Sequence, residues 1–168
     1  MADNTNYAGV FRGIPVINGD IFESGADIIA HQVNCQGVMG SGVAKQVREK
    51  YPSVFEAYKM SCDIAKDRTD RLLGSVQYVC INPGEKPEKY IVNLFAQDKF
   101  GYDGNCYTDY EALCKCLNKL NEGAKGKTVA IPFLMACHRG GGDWDIVSRM
   151  IMYTLTNCDV TFYRYMAG

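Results

Sequence analysis

His31, Asn34 and Cys35 stand at the end of a short apolar run, Ile28-Ile29-Ala30, and glycines at 37, 40 and 42 follow at once. An imidazole can activate water near neutral pH. An asparagine amide can donate and accept hydrogen bonds at the same time. Val43, Ala44, Val47 and Tyr51 then resume at helical spacing. Strand, glycine loop and helix start, in that order, present bare backbone N–H groups to an anion, and a nucleotide phosphate is the usual occupant. A second stretch has the same build. The apolar run Thr128 to Phe133 leads into Leu134 to Gly142, which carries His138, Arg139 and Gly140-Gly141-Gly142, and Asp143 can cap the helix beyond it.

Two common uses of such loops fail on spacing. A phosphoryl-transfer P-loop needs GxxxxGK[ST], and the first loop has no Lys followed by Ser or Thr. The dinucleotide fingerprint GxGxxG is absent as well, since Gly37-x-x-Gly40-x-Gly42 has the wrong order. Hydride transfer is therefore disfavoured.

The elements that must hold these residues can be read in chain order. Residues 1–8 form a loose polar lead. Ile14 to Ile17 is a strand whose Pro15 suggests a sheet edge. The strand around Ile28 is central, and a helix spans Ser41 to about Lys50. Pro52 opens a second helix, Ser53 to about Lys66, with Phe55, Tyr58, Cys62 and Ala65 on one face. Leu72 to Ile81 and Tyr90 to Ala96 are strands. Thr108-x-x-Glu111 reads as a capping box for a helix striped by Leu113, Cys114, Leu117 and Leu120. A last helix buries Val147, Met150, Ile151 and Leu155, and Val160 to Tyr165 is the closing strand. Alternating strands and helices predict a three-layer α/β/α domain with a central mixed sheet. If the strands ending near Ala30 and Phe133 are neighbours, both glycine loops meet at the carboxyl edge, where open α/β sheets bind ligands.

Composition narrows the partners. With 168 residues, 47% of them apolar, the chain can bury one sizeable core. A net charge of -1 with scattered Lys and Arg leaves no footprint for a nucleic-acid polymer. No run approaches the ~18 apolar residues of a membrane span, and the start MADNTNYAGV lacks a signal peptide's pattern. The eight cysteines form no paired framework, so reduced thiols in the cytoplasm are expected. Cys114-x-Cys116 is no zinc knuckle, because helical spacing separates the two sulfurs. No metal and no cofactor is expected, nor any membrane partner, and a monomer is.

The quoted motifs resemble the macrodomain family over nearly the whole span Ile14 to Tyr165. Gly19-Asp20-Ile21 is similar to its adenine-binding GDI segment, and His31-Gln32-Val33-Asn34 matches its Asn-rich strand end. VMGSGVA resembles its first ribose–phosphate loop, and PFLMACHRGGGDW (132–144) its second. Val160 to Tyr163 resembles the closing strand that ends in an aromatic. The pattern HxxNCxGxxGxGxAxQ, followed by Tyr51-Pro52, is nearest the yeast ADP-ribose-1″-phosphate phosphatase-like branch. The terminal ADP-ribose protein glycohydrolase-like branch shares that first loop.

The resemblance implies a site. Asp20 and the Ile21 N–H would meet adenine, and Tyr163 would stack on it; an ordinary turn and a sheet-face aromatic are the alternatives. Asn34 would hold the distal ribose, or simply form an Asx turn. Gly37, Val38, Met39, Gly40, Ser41, Gly42 and Val43, with Pro132, Ala136, Cys137, His138, Arg139, Gly140 and Gly141, would line the ribose–diphosphate cradle, where glycine permits close approach. The triple glycine could equally be a loose turn. His31, with Asn34, would carry the chemistry, or His31 is a core histidine bonded to backbone. Cys35 and Cys137 are expected as packing thiols. Two departures matter: the glycohydrolase branch's lysine and acid positions read Gln97 and Gly140 here, with Lys99 and Asp143 close in sequence. The implied partner is ADP-ribose, or an ADP-ribosyl-containing small molecule or macromolecule. The implied activity is its hydrolysis, at the 1″-phosphate or at the bond to an acceptor. The alternative is a binding module without catalysis.

Overall fold

The computed structural model describes residues 6–167. A sheet of seven strands runs through the centre: β1 (Tyr7–Phe11), β2 (Ile14–Asn18), β3 (Ile28–Val33), β4 (Val76–Cys80), β5 (Tyr90–Phe95), β6 (Thr128–Pro132) and β7 (Asp159–Arg164), in the order β1-β2-β7-β6-β3-β5-β4. The five inner strands are parallel, and the outer ones, β1 and β4, pair antiparallel.

Helices cover both faces. The helices α1 (Gly42–Lys50) and α2 (Pro52–Ile64) lie on one side, α3 (Tyr110–Gly123) and α4 (Trp144–Thr154) on the other. Strand alternation sorts the side chains between them. Ile28, Ala30, Val92 and Leu94 face α3 and α4, packing with Leu113, Leu117, Leu120, Val147 and Ile151. Ile29, Val33, Ile91 and Phe95 face α1 and α2, packing with Val47, Val54, Tyr58 and Cys62. Each fully buried leucine contributes on the order of 1.5–3 kcal/mol. This is the three-layer α/β/α arrangement that the alternation predicts.

Several local expectations need correction. Tyr7 and Ala8 belong to β1, not to a loose lead, and residues 1–5 of that lead lie outside the described residues. Pro15 is not on an edge strand, because β1 folds back over β2 through Arg12-Gly13. Both turn residues have positive φ, 51° and 78°, as a two-residue hairpin needs. Arg-Gly is a weak signal for such a turn, which hid the hairpin. The β7 ladder starts only at Val16, so Pro15 removes no bond from it.

The α3 cap is Asp109, whose carboxylate accepts from the Ala112 N–H at 2.9 Å, not Thr108. The strand expected from Leu72 begins at Val76, while the expected inner face of α2, Phe55, Tyr58, Cys62 and Ala65, is buried or half-buried and gains Val54.

The decisive relation is between β3 and β6. They are parallel neighbours, with Ile28 opposite Val129 and Ile29 opposite Ala130. Their carboxyl ends emerge side by side, so the two glycine loops share one edge of the sheet.

Candidate functional site

The first loop runs from Asn34 to the start of α1. Asn34 closes an Asx turn: its Oδ1 accepts from the Gln36 N–H at 2.9 Å and from the Tyr58 hydroxyl at 2.7 Å, and its Nδ2 donates to the Val38 carbonyl at 2.8 Å. One amide hydrogen is left for anything in the cleft. Met39 is buried and anchors the loop to the core on the α1/α2 side. At the loop's end Ser41 is the N-cap of α1, in an extended conformation, yet its side chain makes no capping bond. The first turn of α1 carries no acid, and Arg48 and Lys50 sit in its last turn. The leading N–H groups of Gly42, Val43 and Ala44 therefore meet no side-chain acceptor, and the helix dipole adds to their pull on an anion. Packing does not demand glycine at 40: a Cβ there would touch Val38 at 3.5 Å and the Tyr102 hydroxyl at 3.7 Å, both ordinary contacts.

The second loop is built differently. Leu134 and Ala136 take positive φ, 66° and 70°, without being glycine. A Cβ on Gly140 would fall 2.5 Å from both the Ala136 carbonyl oxygen and the Thr108 hydroxyl, and one on Gly141 would fall 2.4 Å from the Asn105 carbonyl. These glycines allow close contact with the protein's own backbone and with the Thr108 and Gln32 side chains, so the triple glycine is not a loose turn. Thr108 is the pin. Its hydroxyl donates to the Ala136 carbonyl at 2.9 Å and accepts from Gln32 Nε2 at 2.9 Å. Gln32 Nε2 also donates to Gln97 Oε1 at 2.9 Å, and Gln97 donates to the Lys99 carbonyl at 2.9 Å. The strand end of β5, the 99–107 loop and the second glycine loop are thus tied together.

Between the loops lies a cleft of about 510 Å³. Of the residues singled out in the sequence, His31, Asn34, Val38, Gly40, Ser41, Gly42, Val43, Pro132, Ala136, His138, Arg139 and Gly140 line it. Asp20, Ile21, Gly37, Met39, Cys137, Gly141 and Tyr163 do not. Asp20 caps a short turn, accepting from the Phe22 N–H at 2.9 Å, and Ile21 is buried. Tyr163 packs into the α1/α2-side core, while Tyr165, two residues on, borders the cleft with Arg164 and Phe133.

A third wall escaped the sequence reading: Phe100, Gly101 and Tyr102, with Gln32 and Gln97 behind them. Arg139 reaches across to it, its guanidinium carbon 4.5 Å from the centre of the Tyr102 ring. The glycine at 101 beside two exposed aromatics was the available signal. Lys99 and Asp143 are not among the lining residues, and neither is any other lysine or acid among the described residues.

His31 is 2% exposed. Its Nε2 bonds Asn93 Oδ1 at 2.7 Å, so its partner is a side chain and not backbone. Burial lowers its pKa from 6.5 to about 4, with the Asn93 bond pulling the other way. The ring is neutral at pH 7. Since the unfolded chain takes up a proton that the folded chain refuses, stability present above about pH 6.5 is lost as pH falls towards 4, by on the order of 3 kcal/mol. Urea midpoints measured across that window are expected to fall steeply for the parent and much less for His31→Leu; parallel curves would contradict the neutral ring. Burial also pushes the thiols of Cys35 and Cys137 up to about 12, which keeps them protonated and suits packing thiols.

The family model described as Macro domain matches residues 30–151, which include both loops, β6 and the carboxyl-terminal part of β3. The chain belongs to the macrodomain family. This macrodomain is 34% identical over 138 residues to the ADP-ribose 1″-phosphate phosphatase of Scheffersomyces stipitis, covering 69% of the chain and 80% of that relative. It is 29% identical over 160 residues to the DNA ADP-ribosyl glycohydrolase of Mycobacterium tuberculosis, covering 90% of the chain but only 42% of that longer relative. Among solved structures, the macrodomain protein from Streptomyces coelicolor superposes with a TM-score of 0.68 at 25% identity, covering 91% of this macrodomain and 98% of the other. Among the described residues, no group of three or more His, Cys, Asp and Glu could hold a metal, and no helix is long and apolar enough to cross a membrane.

Proposed function

We propose that this macrodomain, taken as one domain over residues 1–168, binds ADP-ribose or an ADP-ribose derivative in the cleft and hydrolyses it. The observation that carries the reading is the pairing of an uncapped helix start with a second loop on the neighbouring parallel strand. The N–H groups at 42–44 hold the diphosphate from one side and the 136–140 backbone from the other. Asn34, with its one spare amide hydrogen, meets the distal ribose, and Tyr165 with Phe133 supplies the aromatic surface for adenine in place of Tyr163. Arg139 and Arg164 are the lining cations and favour an anionic ligand.

Dephosphorylation of ADP-ribose 1″-phosphate is the favoured reaction. Water adds to phosphorus, the P–O1″ bond breaks, and the sugar oxygen leaves with a proton. The substrate's own phosphate takes the proton from water, which suits a cleft whose lining holds neither carboxylate nor lysine. His31 stands beside this step as a neutral hydrogen-bonding group. Removal of ADP-ribose from an acceptor is the other hydrolysis open to the fold, and it lacks the lysine and acid here. Those same absences favour the second reading, a module that binds ADP-ribose without cleaving it. A monomer in the cytoplasm belongs to the proposal, and the eight free cysteines suit that reducing compartment.

Calorimetric titration tests the binding. ADP-ribose is expected to give saturable heat, and at a hundredfold excess over Kd to raise stability by about 2.7 kcal/mol. No heat and no change in melting temperature would remove the assignment. Phosphate release from ADP-ribose 1″-phosphate, set against an ADP-ribosylated acceptor, then separates the reactions, and binding without any product selects the binding module.

A further inference from the structure

A row of polar side chains crosses the α1/α2 face of the sheet in register. His31 on β3 is the direct cross-strand partner of Asn93 on β5, and Asn93 that of Gln77 on β4. The polarity of the row is forced from its outer end. The Ala57 carbonyl on α2 can only accept, so the Gln77 amide nitrogen faces α2, donating to Ala57 at 3.1 Å and to the Ser61 hydroxyl at 3.0 Å. Gln77 Oε1 is left to accept from Asn93 Nδ2 at 3.0 Å. Asn93 Oδ1 must then accept from His31, which places the ring proton on Nε2. Nδ1 keeps its lone pair. It is buried and has no partner among the described residues, on a side chain that borders the cleft. A buried acceptor with no donor calls for an occupant.

We propose that Asn93 and Gln77 are positioning residues that hold His31 in its Nε2–H form and so reserve Nδ1 to accept a hydroxyl proton at the cleft wall. The donor is an O–H group, from the distal ribose or from a water beside it. The opposite tautomer, or a doubly protonated ring, would present a donor at Nδ1, which could give a hydrogen to that hydroxyl's oxygen but could no longer take up its O–H. The identity of the hydroxyl rests on the ADP-ribose reading of the cleft; the tautomer does not.

The chain has two histidines, so nitrogen-15 spectra of histidine-labelled protein are simple to assign with a His138→Asn variant. The free protein is expected to show His31 with a protonated Nε2 and a bare Nδ1 from neutral pH down to about pH 5. An Nδ1–H form overturns the positioning role. Gln77 is partly exposed near the sheet edge, and Gln77→Leu is expected to fold and to give a mixture of both tautomers. A ribose donor shows as a shift of Nδ1 with ADP-ribose and none with ADP, which lacks the distal ribose. A water donor shows as no shift with either ligand and a fall of at least tenfold in kcat at unchanged KM for Gln77→Leu. The absence of both the shift and the rate change overturns the proposal. Failure of ADP-ribose to bind at all removes the functional reading and the hydroxyl with it, a result distinct from the wrong tautomer in a protein that still binds.

Discussion

Gly140→Asp is expected to lower stability by on the order of 1–3 kcal/mol and to weaken ADP-ribose binding more than tenfold. It does so although it places an acid where the resemblance to the glycohydrolase branch implies one. The first side-chain carbon would sit 2.5 Å from the Ala136 carbonyl oxygen and the Thr108 hydroxyl, and 2.9 Å from Gln32 Nε2. None of these can retreat cheaply. The Ala136 carbonyl also accepts from Gly142 N at 2.9 Å, and the Gly140 carbonyl itself accepts from the N–H groups of Tyr107 and Thr108 at 2.8 and 2.9 Å. Moving the loop to admit the carboxylate breaks those bonds, and the second wall of the cleft goes with them. Chemical denaturation and titration with ADP-ribose check the result. A variant with parental stability and affinity would show that the wall shifts freely, contrary to the packing. Gln97→Lys alone would face a related obstacle, because Gln97 Oε1 is the acceptor that holds Gln32.

Ser41→Asp is expected to move stability and binding in opposite directions. As the N-cap of α1, Ser41 makes no side-chain bond. An aspartate there can accept from the free N–H groups and oppose the helix dipole, a gain of about 0.5–1 kcal/mol. The same carboxylate occupies the place of the diphosphate and repels it, so affinity for ADP-ribose is expected to drop about a hundredfold, on the order of 2.8 kcal/mol. Ser41→Ala is the control: it keeps the backbone donors and should bind nearly as the parent does. Unchanged affinity in the aspartate variant would place the diphosphate elsewhere in the cleft. A joint loss of stability and affinity would mean that the variant distorts the loop, and the helix-start assignment would lose its support.

The two glycine loops illustrate why some of the site was legible in the residues and some was not. Gly40 and Gly42 follow a strand and open a helix, and that local order is enough to announce free backbone donors. Gly140 and Gly141 carry the same letters, yet the structure uses them against Thr108 and Asn105, residues more than thirty positions away in the chain. Local pattern cannot report such contacts, since they depend on how β5 and its following loop lie beside β6. The same limit explains Thr108, read as a cap by its spacing from Glu111 but recruited as a pin between loops. It also explains why Tyr163, within β7, packs against the core while Tyr165, just past the strand's end, borders the cleft.

Read alone, the chain was sufficient for the alternation of strands and helices, the family pattern from His31 to Gln46, and the two loops that flank the cleft. These depend on periodicity, turn residues and motif order, all of which are short-range. Only the folded arrangement could decide that β3 and β6 are parallel neighbours, that Phe100 to Tyr102 form a third wall, and that His31 is buried beside Asn93, the burial keeping its ring neutral. Each of those turns on groups far apart in the chain meeting at hydrogen-bond or van der Waals distance, where burial and partner geometry, not residue type, set the chemistry.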